Sequence, residues 1–187
     1  MLARIGEELR RLLGWISVDD AFADLFEGNE RYAAIEHEVV VSGVARRGLA
    51  ILTCIDSRID PLAVFGLEPG DAKILRNAGA RVTDDAIRTL ALAVAILGVT
   101  RIAVVQHTDC AMASASGAEL AAAVAEATGS DHPTFDPLAI TDQAAALRTD
   151  VDVVLGSALL RDGVVVAGLL LDLASGRLTT IVEPRTS

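Results

Sequence analysis

Apolar residues near the start of the chain recur at the spacing of an α-helix. A helix over residues 2–13 would carry its apolar side chains on one face, and Gly14 would end it. A second helix is predicted over residues 22–32, with Asp19 or Asp20 as its N-terminal cap. Because both helices precede the first predicted strand, they must pack either on the sheet of this chain or on a partner subunit.

From residue 49 onward, short apolar runs alternate with helical patterns. The runs predict strands over residues 49–53, 72–76, 101–106, 164–171 and 178–183. The helical patterns between them cover residues 84–97, the region around 117–127, and a stretch from about 141 to about 155 that contains a break.

Two of these elements carry more apolar residues than one buried face requires. The helix over 84–97, capped by Thr83 and ended by Gly98, is apolar almost all round, so we expect it to be buried on more than one side. The run Val164–Leu171 is continuously apolar, which is typical of a strand buried on both faces.

The order of the elements predicts an α/β fold. About four strands should form a parallel sheet with helices on both faces, and the strand over 178–183 should add an antiparallel edge. We expect a single domain over residues 1–187, with an N-terminal helical extension over 1–48 and a core over 49–187 that carries the active site. In such sheets ligands bind beyond the carboxyl ends of the strands, where the winding direction reverses.

Charge and hydropathy narrow the function. The formal net charge of −10 argues against nucleic acid or an anionic membrane as partner, because both require a basic surface. The longest apolar run, over residues 90–99, is too short to cross a bilayer. Acidic residues follow closely on the first methionine, where a signal peptide would need its apolar stretch, so a soluble cytoplasmic protein is expected.

Two cysteines and a histidine stand at the ends of predicted strands. Cys54 directly follows the strand over 49–53, and His107 and Cys110 follow the strand over 101–106. Cysteine and histidine are the usual ligands of zinc, and three protein ligands leave a fourth position for water. The sequence therefore predicts a zinc site. The alternatives are a structural disulfide, which a cytoplasmic chain disfavours, or ordinary buried cysteines and a core histidine.

A carboxylate and a guanidinium follow the first cysteine closely. Asp56 could be a fourth metal ligand, the partner of Arg58, or each in turn. If Arg58 holds Asp56 in a bidentate pair, the fourth position stays open to water, and if the pair breaks, Asp56 can close the site. A surface ion pair that contributes less than about 1 kcal/mol is the alternative.

These motifs resemble those of the β class of carbonic anhydrases. The similarity covers roughly residues 49–183. The matching pieces are Cys54-x-Asp56-x-Arg58, the turn Arg76-Asn77-Ala78-Gly79, the helix start Val82–Asp85, the segment His107-Thr108-Asp109-Cys110, and, downstream, Pro133–Phe135 and Asp172–Leu178.

The resemblance implies a zinc-dependent carbonate dehydratase, a lyase that reversibly hydrates CO2 to bicarbonate and a proton through zinc-bound hydroxide. It implies that Cys54, His107 and Cys110 bind the zinc, and that Asp56 and Arg58 form a catalytic dyad that gates and orients the hydroxide. Members of this family are dimers or larger assemblies, so a homodimer or larger homo-oligomer is expected.

Departures from the family pattern leave the substrate open. Residues 43–48 contain no glutamine, which the plant-like branch carries there, so the chain resembles the short bacterial branch that also includes hydrolases of carbonyl sulfide and carbon disulfide. Ala80 and Ala111 replace frequent glycines, and a methyl group there would narrow the site or shift a backbone donor. Hydrolysis of carbonyl sulfide or a related small linear molecule is therefore an alternative, as is a non-catalytic structural zinc domain.

One further histidine lies downstream of the predicted ligands. His132 stands before a proline in an irregular segment. It is either a relay that passes the product proton to buffer or an ordinary loop histidine.

Overall fold

A computed structural model describes residues 21–35, 42–129 and 136–186. These residues divide into two compact units, of which the larger includes residues 42–122 and 136–186 and the smaller includes residues 21–35 and 123–129. The predicted helix over 2–13, the two candidate caps before residue 22 and the loop histidine His132 all lie outside the described residues. The single-domain organisation and the boundary at residue 48 stay predictions.

Five strands and five α-helices are described. The strands are β1 (Leu49–Cys54), β2 (Ala72–Asn77), β3 (Arg101–His107), β4 (Val165–Leu171) and β5 (Leu178–Arg185). The helices are α1 (Ala23–Ala33), α2 (Pro61–Val64), α3 (Asp84–Ile96), α4 (Gly117–Thr128) and α5 (Gln143–Leu155). Short 3₁₀ turns follow β2, over Ala78–Ala80, and β3, over Ala111–Ala113.

The larger unit is built on a five-stranded sheet in the order β2-β1-β3-β4-β5. β1 pairs in parallel with both β2 and β3, and β3 pairs in parallel with β4. β5 pairs antiparallel with β4 at the edge, which confirms the predicted α/β fold with four parallel strands and an antiparallel edge strand. The chain winds outward from β1 in one direction to β2 and in the other to β3. The winding therefore reverses between β1 and β3, where ligands bind in open α/β sheets.

One face of the sheet is covered by α3 and α5. Leu90 of α3 and Leu147, Val151 and Val154 of α5 are fully buried against apolar side chains of the strands. The opposite face forms a second apolar cluster that includes Ile51, Val105 and Leu171, together with Ile59 and side chains of α2. Helical segments thus lie on both faces of the sheet, as the alternating pattern predicted.

Capping residues set the helix boundaries as the sequence indicated. The Thr83 hydroxyl accepts a hydrogen bond from the Ala86 N–H at the start of α3, and Gly98 follows the helix with a φ of 75°, a conformation that favours glycine. The Asp142 carboxylate accepts from the Ala145 N–H at the start of α5. The predicted break in the last helix is wrong, because α5 runs from Gln143 to Leu155 without interruption.

One of the two burial predictions is wrong for the single chain. In α3, Leu92 is 47% exposed and Ile96 is 66% exposed, because only the side that faces the sheet is covered. The prediction for β4 is confirmed apart from its first residue: Val165 is exposed, but Val166 is buried in the cluster on the face covered by α3 and α5, and Leu171 is buried in the cluster on the opposite face.

The smaller unit contains α1, which confirms the predicted second helix. Its first turn carries Asp24 and its last turn carries Arg31, the signs that complement the helix dipole. Phe22 occupies the N-cap position without a side-chain hydrogen bond. None of the helices in the described segments combines the length and apolar character needed to span a bilayer.

Candidate metal centre

The candidate site lies where the winding of the sheet reverses. Cys54 is the last residue of β1, and His107 is the last residue of β3, which lies beside β1 in the sheet. Cys110 follows three residues later, after a tight turn in which Asp109 has a φ of 55°. All three side chains are buried, and their ligand atoms lie within 4.8 Å of one another. The structure therefore brings together the three residues that the sequence selected as metal ligands.

The spacing of the sulfur atoms fits a tetrahedral zinc ion. The Sγ atoms of Cys54 and Cys110 are 4.0 Å apart. Two zinc–sulfur bonds of about 2.3 Å at the tetrahedral angle place their sulfur atoms about 3.8 Å apart. A disulfide would require a separation of about 2.05 Å, and both cysteines are free thiols, so the disulfide alternative is wrong.

The imidazole of His107 is oriented for metal binding. Its Nδ1 lies 2.8 Å from the Thr108 carbonyl oxygen, an acceptor that requires the proton to be on Nδ1. In the neutral ring Nε2 then carries no proton, and it is fully buried with no hydrogen-bond partner among the described residues. Burial by itself lowers the pKa of this imidazole, but the neighbouring Cys54 sulfur and the Thr108 carbonyl raise it overall. An unpartnered buried nitrogen that faces two sulfur atoms is the arrangement a zinc ligand requires.

The two thiols hold their protons unequally. The pKa of Cys54 is lowered, first because Cys110 is its hydrogen-bonding neighbour and further because His107 and the Gly79 N–H favour the thiolate. The pKa of Cys110 is raised, first by the same contact with Cys54 and then by burial. The contact between the two sulfur atoms therefore favours one thiolate over two, and a cation that binds there would stabilise the second.

The turn after β2 supplies a backbone donor to Cys54. Gly79 has a φ of 75°, and its N–H donates to Cys54 Sγ over 3.4 Å. The Asn77 side chain closes this turn by donating to the Arg81 carbonyl oxygen over 2.6 Å and accepting from the Arg81 N–H over 2.8 Å. Ala80, the departure from glycine, is fully buried with a φ of 56°, so its methyl group occupies the interior of the turn. Ala111 is exposed and fills no buried space.

A buried ion pair anchors the same turn to α5. The Arg81 Nε donates to Asp150 Oδ2 over 2.8 Å, and the Val82 N–H donates to Asp150 Oδ1 over 3.2 Å. Asp150 is 2% exposed, and the second end of the Arg81 guanidinium donates to the Leu138 carbonyl oxygen. Because removing one partner of such a pair leaves a buried charge uncompensated, breaking this anchor would destabilise the turn strongly.

Asp56 and Arg58 form a bidentate pair beside the cluster. The Arg58 Nε donates to Asp56 Oδ1 over 2.9 Å, and its NH2 group donates to Oδ2 over 2.7 Å. The Arg58 hydrogen bonds lower the pKa of Asp56 to about 2, so this carboxylate is an acceptor at neutral pH. Asp56 Oδ2 lies 3.8 Å from His107 Nε2, which places it next to the metal ligands but not within their group.

Three supporting contacts were not assigned from the sequence. Gln143 Nε2 donates to the His107 carbonyl oxygen over 2.7 Å, and the Arg76 guanidinium donates to the carbonyl oxygens of Cys54 and Asp56. Asp109 accepts a hydrogen bond from Arg58 over 2.7 Å. Asp109 was visible as part of the motif around His107, but its spacing from Arg58 in sequence gives no sign of contact. Arg76 was visible as part of the turn motif over residues 76–79, but nothing there indicated its contacts with the two carbonyl oxygens. Gln143 gave no signal at all, because its partner is distant in sequence.

Comparisons with known proteins agree with this geometry. Residues 49–132 match the family model described as carbonic anhydrase. The chain is 32% identical over 133 residues to β-carbonic anhydrase 1 of Mycobacterium tuberculosis, an alignment that covers 71% of this chain and 81% of that protein. It is 48% identical over 75 residues to carbon disulfide hydrolase of an Acidianus strain, over 40% of this chain and 37% of that protein.

The fold has a close counterpart among solved structures. The crystal structure of a carbonic anhydrase from Streptococcus mutans matches with a TM-score of 0.81 and 32% identity, over 89% of this chain and 99% of that one. The sequence similarity, the sheet topology and the cluster of two cysteines and a histidine all indicate the same family. The chain belongs to the family of β-class carbonic anhydrases.

Proposed function

We propose that this protein reversibly hydrates CO2 to bicarbonate and a proton, with zinc as its cofactor. The observation that carries the proposal is the convergence of two sulfur atoms and one imidazole nitrogen next to a carboxylate that an arginine holds in place. The family relationship supports the same activity.

Cys54, His107 and Cys110 would hold the zinc ion, since their ligand atoms already have the chemistry and spacing of a tetrahedral site with one open position. Zinc bound there would lower the pKa of a coordinated water and so supply hydroxide near neutral pH.

The Asp56–Arg58 pair would orient the reaction. Arg58 occupies both carboxylate oxygens and also donates its backbone N–H to Asp56 Oδ1 over 3.0 Å, so the carboxylate cannot rotate freely. In this orientation Asp56 can accept a hydrogen bond from the attacking oxygen and direct its lone pair toward the carbon of CO2. The same contacts keep Asp56 from acting as the fourth metal ligand while the pair is intact.

Hydrolysis of carbonyl sulfide or carbon disulfide is the second candidate, and one observation favours it. The match to the Acidianus carbon disulfide hydrolase, although it covers less of the chain, is more nearly identical than the match to the mycobacterial enzyme. Carbon dioxide, carbonyl sulfide and carbon disulfide are all linear, carry an electrophilic carbon and need only a small dry pocket. The buried methyl group of Ala80 lies in the turn that contacts Cys54, where it would affect the shape of such a pocket.

Arg58→Ala tests the catalytic role of the pair. We expect the zinc-loaded variant to lose at least about tenfold in kcat/KM, because Asp56 is released from its orientation. Wild type and variant are assayed for CO2 hydration and for sulfide release from carbonyl sulfide and carbon disulfide. The substrate with the highest kcat/KM in the wild type decides between the two candidates.

Arg88→Ala is the matched control, since Arg88 also pairs with a nearby carboxylate, Asp85, but on the exposed surface of α3. We expect this control to keep wild-type activity. If Arg58→Ala also keeps it, the dyad has no part in the mechanism. If the wild type binds zinc but turns over none of the three substrates, the remaining alternative of a structural zinc domain is favoured.

We also propose that the chain forms a homodimer or larger homo-oligomer in the cytoplasm. The exposed apolar side chains of α3, Leu92 and Ile96, and of the region around α1, Phe22 and Phe26, support an assembly. Two free thiols in a metal site suit a reducing compartment. Light scattering of the purified protein measures the mass of the assembly, and a monomer at micromolar concentration would contradict this part of the proposal.

A further inference from the structure

The guanidinium of Arg58 contacts two carboxylates through two different edges. Its Nε/NH2 edge faces Asp56, as described above. Its NH1/NH2 edge faces Asp109, where NH1 donates to Asp109 Oδ2 over 2.7 Å and NH2 donates to the Asp109 carbonyl oxygen over 3.0 Å. A guanidinium has five N–H donors in a fixed plane, and four of them are engaged here.

These contacts join the two loops that carry the candidate metal ligands. Arg58 belongs to the loop that follows Cys54, and Asp109 lies between His107 and Cys110. Asp109 adopts a left-handed backbone conformation with a φ of 55°, which aspartate tolerates better than most residues. That conformation directs both its carboxylate and its carbonyl oxygen to the same edge of the guanidinium.

The ion pair between Arg58 and Asp109 by itself contributes little to the stability of the fold. The Asp109 side chain is 70% exposed and that of Arg58 is 51% exposed, and exposed ion pairs contribute little to folding. The Asp56 side chain is only 15% exposed. A planar group that is fixed along one edge has its other edge fixed as well, so the contact with Asp109 determines which way Arg58 faces Asp56.

We propose that Asp109 is a positioning residue, which acts through Arg58 to hold Asp56 in the orientation that the reaction uses and away from the metal ligands. This inference rests on the proposed function of the same site. It adds a third member to the Asp56–Arg58 pair, supplied by the loop of the other two ligands.

Two variants remove the contact in different ways. Asp109→Gly removes the side chain and retains the left-handed backbone without strain, whereas Asp109→Asn removes the charge and keeps the shape. We expect kcat/KM to fall roughly three- to tenfold in Asp109→Gly and less in Asp109→Asn, which corresponds to the loss of one partly exposed charged hydrogen bond. Zinc content and thermal stability should stay close to wild type in both. Asp85→Asn, which removes a similar exposed carboxylate from Arg88, is the control and should change nothing.

A double-mutant cycle with Arg58→Ala distinguishes positioning from a structural role. If Asp109 acts through Arg58, Asp109→Gly has no further effect in the Arg58→Ala background. If the two losses multiply, or if Asp109→Gly reduces zinc affinity as much as it reduces kcat/KM, Asp109 supports the loop and not Arg58, and the inference is wrong.

The cobalt-substituted protein gives a readout that does not depend on turnover. The visible absorption of Co²⁺ reports the number and type of its ligands. We expect Asp109→Gly to shift this spectrum in the direction of Arg58→Ala, because Asp56 is freed to approach the ion in both. A wild-type spectrum in Asp109→Gly, alongside a shifted one in Arg58→Ala, would overturn the inference. This comparison decides the matter even if the wild type hydrates no CO2, a result that would count against the proposed function alone.

Discussion

Gly79 connects the stability of the fold with the candidate metal centre, and Gly79→Ala tests both. The residue has a φ of 75°, and its N–H is the backbone donor to Cys54 Sγ. A Cβ at this position would lie 3.2 Å from Ile140 Cδ1 and 3.2 Å from both Cβ and Cγ of Met112. Alanine would therefore be strained in its backbone and crowded by two side chains from different loops.

The cost can be worked out from these contacts. The left-handed conformation costs a non-glycine residue about 1–2 kcal/mol. Overpacking against neighbours that must move costs about 1–3 kcal/mol. Alanine also lowers the conformational entropy of the unfolded chain, which offsets about 0.4–1 kcal/mol of this cost. We expect a net loss of about 1–4.5 kcal/mol in the free energy of unfolding, measured by denaturant titration of the metal-free protein.

Gly163→Ala is the matched control for the cost of the left-handed backbone conformation. Gly163 has a φ of 82°, but nothing lies within 4 Å of its Cβ position. We expect this variant to lose only about 0–1.5 kcal/mol, because it carries the strain without the crowding. Equal losses in the two variants would show that the packing of Ile140 and Met112 against the turn does not matter, and would refute the reasoning.

The effect of Gly79→Ala on metal binding can be measured separately from its effect on stability. A turn displaced by a few tenths of an ångström weakens the hydrogen bond to Cys54 Sγ, and removal of such supporting contacts typically lowers metal affinity about 10–100-fold. We expect zinc affinity to fall about tenfold in Gly79→Ala and to stay unchanged in Gly163→Ala. Competition with a chromophoric chelator measures it. Unchanged affinity in Gly79→Ala would mean that the Gly79 N–H has no influence on the thiolate.

Two further predictions concern the ligand set and the opposite end of the sheet. Cys110→Ala should abolish stoichiometric zinc binding, because two ligands remain of three, and a full zinc complement by metal analysis would contradict the ligand assignment. Asp71→Asn should lower stability near neutral pH, because Asp71 accepts a hydrogen bond from the Glu68 N–H and contacts two arginines, which lower its pKa in the folded state. That stabilisation is present above the unfolded aspartate pKa of about 3.9 and is lost as pH falls through the lower folded value. The deficit of Asp71→Asn in urea titrations should therefore shrink in acid, and a deficit independent of pH would rule out the charged contacts as its cause.

The fold was predictable because its signals are local. Each parallel strand appears as a short apolar run, and each following helix begins at a capping residue such as Thr83 or Asp142 that acts on backbone groups two or three residues away. Such interactions depend on neighbours in the sequence and need no knowledge of the rest of the chain. The antiparallel edge position of β5 could also be predicted from the sequence, because the tight turn over residues 172–177 allows only an antiparallel return.

Burial was less predictable, and α5 shows why. Asp150 lies on the buried face of this helix, among Leu147, Val151 and Val154, where a charged residue interrupts the apolar pattern. The helix continues because Arg81, 69 positions earlier in the sequence, supplies the opposite charge. A one-dimensional pattern contains no information on whether a buried carboxylate will find such a partner.

The sequence alone determined which atoms could bind a metal, since the residue types and their places at strand ends are explicit in it. Only the tertiary structure decided that these atoms meet, because β1 and β3 lie side by side even though β2 and α3 separate them in the chain. The same adjacency brings Asp109 to Arg58, and the pairing of β1 with β2 brings the Gly79 N–H to Cys54, contacts between segments 25 to 51 residues apart. Ligand identity is a property of single residues, whereas the contacts of Arg58 with Asp56 and Asp109 join two loops that are distant in sequence, and for that reason they had to be observed.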